Sequence, residues 1–382
     1  MAAPACLLSF TIFWAAQRGA DVSMIDLMVY RAEGETVRAG QDLYAMRATA
    51  ANLPTTYPPF AALLFTPLTL LDVPEMRTLA TLGNLALLVA LVHLSLRLVG
   101  REDPAATLWL AALAVWSEPV WTTLRYGQIN LLLAVAVLWD LTRRNGHRWA
   151  GTGMGLAAAV KLTPALFAVF LLLVGLVRAR SRGRAFGHPW NTWLRTATTA
   201  AVVFLTATVA AGVALPADSR SFWTSMIFET GRVGHAEATA NQSLRGVLAR
   251  LLHTGDPGLW WAATAALAAL AGLTVAVLAE LRGERAAAMG ACAVTALLVS
   301  PVSWSHHWVW CVPLAIVLAA RGQKKWAAAT ALVFCSYTLW WVPHGEGRLE
   351  LTQGVGQMAL SALYTLTAVA VLVTLSRTNR TA

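Results

Sequence analysis

Residues 75–98 read EMRTLATLGNLALLVALVHLSLRL, with formal charge confined to Glu75, Arg77 and Arg97 at the two ends. A helix needs ~20 apolar residues to cross the hydrocarbon of a bilayer, and it satisfies its own backbone there. The segment therefore reads as a membrane-spanning helix. Working outward, apolar runs recur near 4–17, 105–118, 129–142, 149–160, 162–178, 194–215, 258–280, 286–301, 307–320, 325–342 and 354–375. Over 382 residues, 57% are hydrophobic and only 13% charged, about half the charged share of a soluble domain. The expected fold is an all-α polytopic membrane protein of about twelve transmembrane helices, a single domain over 1–382 with no separate soluble unit. The first run lacks the basic flank of a cleaved leader and is expected to remain as a helix, with a start upstream of Met1.

The net charge of +10 invites a nucleic-acid reading, which its distribution excludes. With the first residue on the cytoplasmic side and the sides alternating, the inward loops carry Arg97/Arg101, Arg143/Arg144/Arg148, Arg178 to Arg195, Arg282/Arg285, Arg321/Lys324/Lys325 and Arg377/Arg380. That is 17 of the 29 basic residues against 5 of the 19 acids, the positive-inside bias of a plasma-membrane protein with both ends in the cytoplasm. The outward loops are polar and aromatic, and the first, over 18–74, is long. Within it the apolar run 59–71, opened by Tyr57-Pro58-Pro59, is too short to span and would invert every later loop if it did. It reads as a re-entrant or interfacial helix. The four cysteines, Cys6, Cys292, Cys311 and Cys335, read as free, buried, small hydrophobes.

Candidate chemistry gathers on the outward side. Asp26, in the apolar stretch SMIDLMVY, is either a helix N-cap or a working carboxylate. Lys161, alone between two apolar runs, is either a snorkelling lysine or a contact to a lipid phosphate. His306 and His307 follow Trp304; neighbouring helical residues point about 100° apart, which disfavours a shared metal and suits hydrogen bonds to phosphate or sugar. Trp304, Trp308 and Trp310 also fit an interfacial aromatic belt. The amide-rich turns Arg125-Tyr126-Gly127-Gln128-Ile129-Asn130 and Asn241-Gln242-Ser243 fit sugar hydroxyls, and equally helix caps. No phosphate-binding glycine loop of either common type occurs, so no nucleotide site is expected. Gly151 and Gly155 read as helix packing.

Taken in order, these elements resemble glycosyltransferase family 87, the polyprenol-phosphate-mannose-dependent α-mannosyltransferases with a GT-C-type membrane fold. The resemblance rests on Asp26…Tyr30, Gly40 with Leu43-Tyr44, and Tyr57-Pro58-Pro59-Phe60. It continues through Gly127-Gln128-Ile129-Asn130, Lys161-Leu162-Thr163-Pro164, Asn241-Gln242-Ser243-Leu244 and Ser300-Pro301-Val302-Ser303-Trp304 with His306-His307. It implies Asp26 as the catalytic carboxylate, with Tyr30, Tyr57, Arg125, Gln128, Asn130, Lys161, Asn241, Gln242, Trp304, His306 and His307 as substrate-binding residues. It further implies a β-linked polyprenyl-phosphate-mannose donor, a lipid-linked or cell-envelope glycan acceptor, inversion to an α-(1,2) linkage at the outer membrane face, and no cofactor. A transporter or flippase for a lipid-linked sugar, and a non-catalytic scaffold, are the competing classes. A transporter is expected to bury charge at mid-membrane between repeated halves, and no repeat is apparent.

Overall fold

The computed structural model describes residues 1–143, 146–181 and 190–377. Of the basic loop residues, Arg144, Arg182, Arg184 and Arg380 lie outside the described residues.

Among the described residues eighteen α-helices follow in chain order. The first six are α1 (Ala2–Gly19), α2 (Ile25–Arg38), α3 (Pro59–Phe65), α4 (Val73–Leu98), α5 (Pro104–Ala114) and α6 (Glu118–Tyr126). Next come α7 (Asn130–Leu141), α8 (Thr152–Val160), α9 (Ala165–Ser181), α10 (Thr192–Ala214), α11 (Pro216–Ser221) and α12 (Leu244–Leu251). The last six are α13 (Gly258–Leu281), α14 (Arg285–Val299), α15 (Cys311–Ala320), α16 (Lys324–Cys335), α17 (Val355–Ser361) and α18 (Leu363–Ser376). All twelve apolar runs fall on helices. Among the described residues three helices, α4, α10 and α13, are long and apolar enough to cross a membrane, and up to five spans result if each of the bent pairs α6–α7 and α17–α18 counts as one. The chain is thus a mostly helical, multi-span membrane protein.

Exposure follows what lipid permits. Val213, Leu259, Leu267 and Leu332 are each more than 60% exposed, which only an apolar surround makes tolerable for so many large side chains. Helices approach closely where side chains vanish. Methyl groups on Gly151 and Gly155 would strike the α10 backbone at Thr196 and Ala200, and one on Gly153 would strike Ala136 of α7. The glycine spacing in α8 is packing, as its pattern suggested.

The long first loop is more ordered than its composition implied. It holds α2, a two-stranded antiparallel ribbon pairing β1 (Arg47–Ala48) with β2 (Leu53–Pro54), and α3 continuing into a 3₁₀ turn over Thr66–Leu70. The ribbon departs from an all-helical expectation, and it is only two residues per strand. Cys6, Cys292 and Cys311 are buried, but Cys335 is exposed in the last turn of α16, against expectation.

Candidate active site

α2 begins after Met24, whose φ of 50° turns the chain sharply into the helix. Asp26 lies in the first turn, yet it does not cap. Its Oδ2 instead accepts from Gln128 Nε2 at 2.8 Å, and Oδ1 makes no hydrogen bond among the described residues. Gln128 reaches it because α6 and α7 meet at an angle of 117°. Gly127 forms that elbow with φ 69°, and a Cβ there would sit 2.6 Å from Leu27 Cβ. Only glycine permits both the left-handed turn and the approach of α2.

The amide of Gln128 is fixed from behind. Its Oε1 accepts from Tyr30 at 2.7 Å and from Tyr57 at 3.2 Å, and the two phenols lie 2.9 Å apart. With the carbonyl oxygen so occupied, the amide must present N–H to Asp26. Tyr30 stacks on Phe65 at 4.4 Å, and Gly34 lets α2 press on the Phe65 carbonyl, so α3 serves as the back wall of this network. Tyr57 stands where Pro58 and Pro59 open α3.

Lys161 occupies the break between α8 and α9, in extended conformation. Its Nζ contacts His307 Nε2 at 2.8 Å and Asn130 Oδ1 at 3.4 Å, and it faces the Tyr57 ring at 5.5 Å. The amine is engaged by protein rather than snorkelling. His307 Nδ1 receives the Trp304 N–H at 3.2 Å, which holds the ring with Nε2 toward the Lys161 amine. Burial lowers Lys161 to about 7, opposed by the charge of Asp26. Burial likewise raises the Asp26 carboxyl above its ordinary range, against the Gln128 hydrogen bond and Lys161. The His306 carbonyl accepts from Thr123 at 2.9 Å and Asn130 at 3.0 Å, which anchors the histidine turn to α6 and α7.

These groups line one cavity of about 260 Å³: Asp26, Tyr30, Tyr57, Gln128, Lys161, Trp304, His306 and His307. A narrower apolar cleft continues from Lys161 and His307 past Asn130 and Phe167. Of the sequence candidates, three stand elsewhere. Arg125 is exposed and does not line the cavity. Asn241 and Gln242 are fully buried and bond to backbone instead of facing open space. Asn241 Oδ1 accepts from Ser303 N at 3.0 Å, while Gln242 donates to Thr239 and Ser361 carbonyls and its backbone N–H to Ser303 O at 2.8 Å. They hold the strand that delivers Trp304 and the histidines; their amides are spent on scaffold.

Sequence reasoning missed two contributors. A wall of the cavity comes from residues 222–233, including a π-turn at Phe222–Met226 and Arg232, which donates to the carbonyls of Thr55, Thr56 and Met226. Glu118 accepts from Thr122, Ser305, Trp340 and Tyr364 within 3.2 Å, tying the histidine turn to the C-terminal helices. Glu118 was detectable as a lone acid in an apolar setting; Arg232 carried no such mark.

The cavity sets the carboxylates of Asp26 and Glu229 and the basic side chains of Lys161 and Arg232 along one lining. Residues 56–301 match Glycosyltransferase family 87. The chain belongs to that family. It is 35% identical over 331 residues to the polyprenol-phosphate-mannose-dependent alpha-(1-2)-phosphatidylinositol mannoside mannosyltransferase of Mycobacterium tuberculosis, covering 81% of this chain and 73% of that protein. It is 33% identical over 347 residues to the corresponding phosphatidylinositol pentamannoside mannosyltransferase of Mycolicibacterium smegmatis, covering 83% and 78%. Among solved structures, ArnT from Cupriavidus metallidurans bound to undecaprenyl phosphate aligns with a TM-score of 0.45 and 15% identity over 96% of this chain and 77% of that one.

Proposed function

We propose that this chain transfers mannose from polyprenol-phosphate-mannose to a phosphatidylinositol mannoside, forming an α-(1,2) linkage at the outer face of the plasma membrane. The observation that carries the reading is the free Oδ1 of Asp26 in the same cavity as the Lys161–His307 pair. Family membership and the named activities of the relatives support the substrates.

Asp26 deprotonates the acceptor hydroxyl through Oδ1 while Gln128 fixes the other oxygen. Burial that raises its pKa also makes it the stronger base, and such a base contributes on the order of 10²–10⁴ in rate. Polyprenyl phosphate departs as an oxyanion. It meets the ammonium form of Lys161, which donates to the phosphate together with His307. One carboxylate suffices, because a phosphate leaving group needs no acid of the glycosidase kind. In-line attack on a β-linked donor inverts the centre to α. The apolar cleft beyond Lys161 suits the prenyl chain.

The reading includes about twelve membrane segments in one domain over 1–382, with 18–74 and the histidine turn both outside. The test is reconstituted protein given polyprenol-phosphate-mannose and a phosphatidylinositol mannoside, with linkage analysis of the product. An α-(1,2)-mannosylated lipid is expected. No transfer, or a β-linkage, overturns the reading.

A further inference from the structure

Beside the start of α2, a second cavity of about 180 Å³ opens between the last turns of α1 and the first turns of α4. That is far more room than one water needs, on the order of 10–15 Å³. Its lining includes Trp14, Gln17, Arg18, Arg77 and Thr78, with Asp21 as the one acid.

Two polar groups here lack partners. Gln17 is 6% exposed, and its Oε1 accepts no hydrogen bond among the described residues. Arg77 Nε is buried and likewise unmatched. Neither Arg18 nor Arg77 joins an ion pair among the described residues. Buried polar atoms are nearly always satisfied, so an orphan acceptor beside an orphan guanidinium N–H calls for a ligand with both an anion and a hydroxyl. A planar guanidinium suits phosphate in particular. Trp14 adds an aromatic wall of the kind that stacks on a sugar ring.

The surroundings select a lipid. On the helix faces leading away from the cavity, Leu7 lies two turns before Trp14 and Leu82 one turn after Thr78, exposed by 67% and 46%. They form an apolar track below a polar pocket, the profile of a headgroup with its chains. Met24, which also lines the cavity, stands two residues before Asp26.

We propose that this cavity anchors the phosphodiester and polyol of the acceptor glycolipid. The phosphate sits between Arg18 and Arg77, a polyol hydroxyl donates to Gln17 Oε1, and the glycan runs past Met24 to the Asp26 cavity. This rests on the acceptor being a phosphatidylinositol mannoside, as proposed above.

Two measurements on the full chain test it. In transfer assays, Arg77→Gln is expected to raise the KM for phosphatidylinositol mannoside tenfold or more relative to that for a phosphate-free oligomannoside. Arg18→Gln, at an exposed side chain, is expected to move the same ratio less. An unchanged ratio in both variants overturns the proposal. In detergent, wild-type protein is expected to retain phosphatidylinositol in native mass spectra, and Arg77→Gln to lose it. Equal retention by wild type and both variants overturns the site, and displacement by inorganic phosphate at matched concentration marks a free-anion site and overturns the lipid reading. Phosphatidylinositol binding requires no transfer. A wild type that binds it through Arg77 yet mannosylates nothing would refute the proposed function and leave this site standing.

Discussion

α7 carries a polar side chain at each of its ends, Asn130 and Asp140, and the two serve opposite purposes. At one end Asn130 holds the His306 carbonyl and approaches Lys161. At the other, Asp140 accepts the Met154 N–H at 2.7 Å, capping the start of α8, and lies 3.8 Å from Arg143. Nearby, Glu280 takes Trp193 at 2.8 Å and Arg285 at 3.4 Å. The same residue types recur, but there Asp140 and Glu280 each lie within ion-pair distance of an arginine. In the transfer cavity Asp26 and Lys161 each contact neutral groups and feel each other only through space. Direct pairing makes structure. Separation across open volume keeps a base and a cation available.

The comparison is broken most forcefully by Asp26→Asn. Transfer is expected to fall on the order of 10²–10⁴-fold, measured as kcat with intact donor binding. Near-wild-type turnover would remove Asp26 from the chemistry. Lys161→Ala is expected next, lowering kcat/KM for the donor about 10–100-fold, the worth of a charge-assisted hydrogen bond, with little change in acceptor KM. Since Lys161 titrates at about 7 in the free protein, it is charged below that pH and neutral above it. Donor KM should therefore climb as pH rises through 7, and Lys161→Arg should flatten that climb, whatever its effect on turnover.

The paired end supplies the control. Asp140→Asn weakens a cap and an ion pair, so a loss of about 1 kcal/mol of stability is expected with kcat/KM unchanged, read by thermal unfolding beside the transfer assay. A drop in transfer without loss of stability would erase the distinction between the two ends. A further prediction concerns Glu33, one turn beyond Tyr30 on α2. Burial pushes its carboxyl up to about 8, against the Arg232 charge and the Thr55 hydroxyl. A folded pKa above the unfolded one means stability present at low pH and lost as pH rises toward 8. Glu33→Gln should match wild type near pH 5 and melt higher at pH 8 and above; equal melting at both pH values would contradict this.

Much of this architecture was legible because lipid leaves sequences few choices. A run such as 75–98 has to be a helix, and each of the other runs proved helical as well. Asp26, Lys161 and His307 stood out for a related reason: charge or imidazole beside apolar sequence has to be used or buried in partners. Asn241 and Gln242 misled because an amide serves a sugar hydroxyl and a backbone carbonyl with the same atoms. Their side chains are held by Ser303 and Ser361, far along the chain, which no local pattern contains. Arg232 escaped notice because an arginine in a polar loop looks like any solvated charge. Only the fold brings it onto the carbonyls of residues 55 and 56.

The elbow at Gly127 has one more implication, for anyone hoping to retune this protein. Because the bend leaves no space for a methyl group against Leu27, the base and the amide that aims it travel as a single rigid body. Mutations intended to loosen acceptor preference at that corner are bound to misalign the proton transfer too. The segment 222–233, which borders the cavity and carries neither the base nor the amide that aims it, offers the safer ground for redesign.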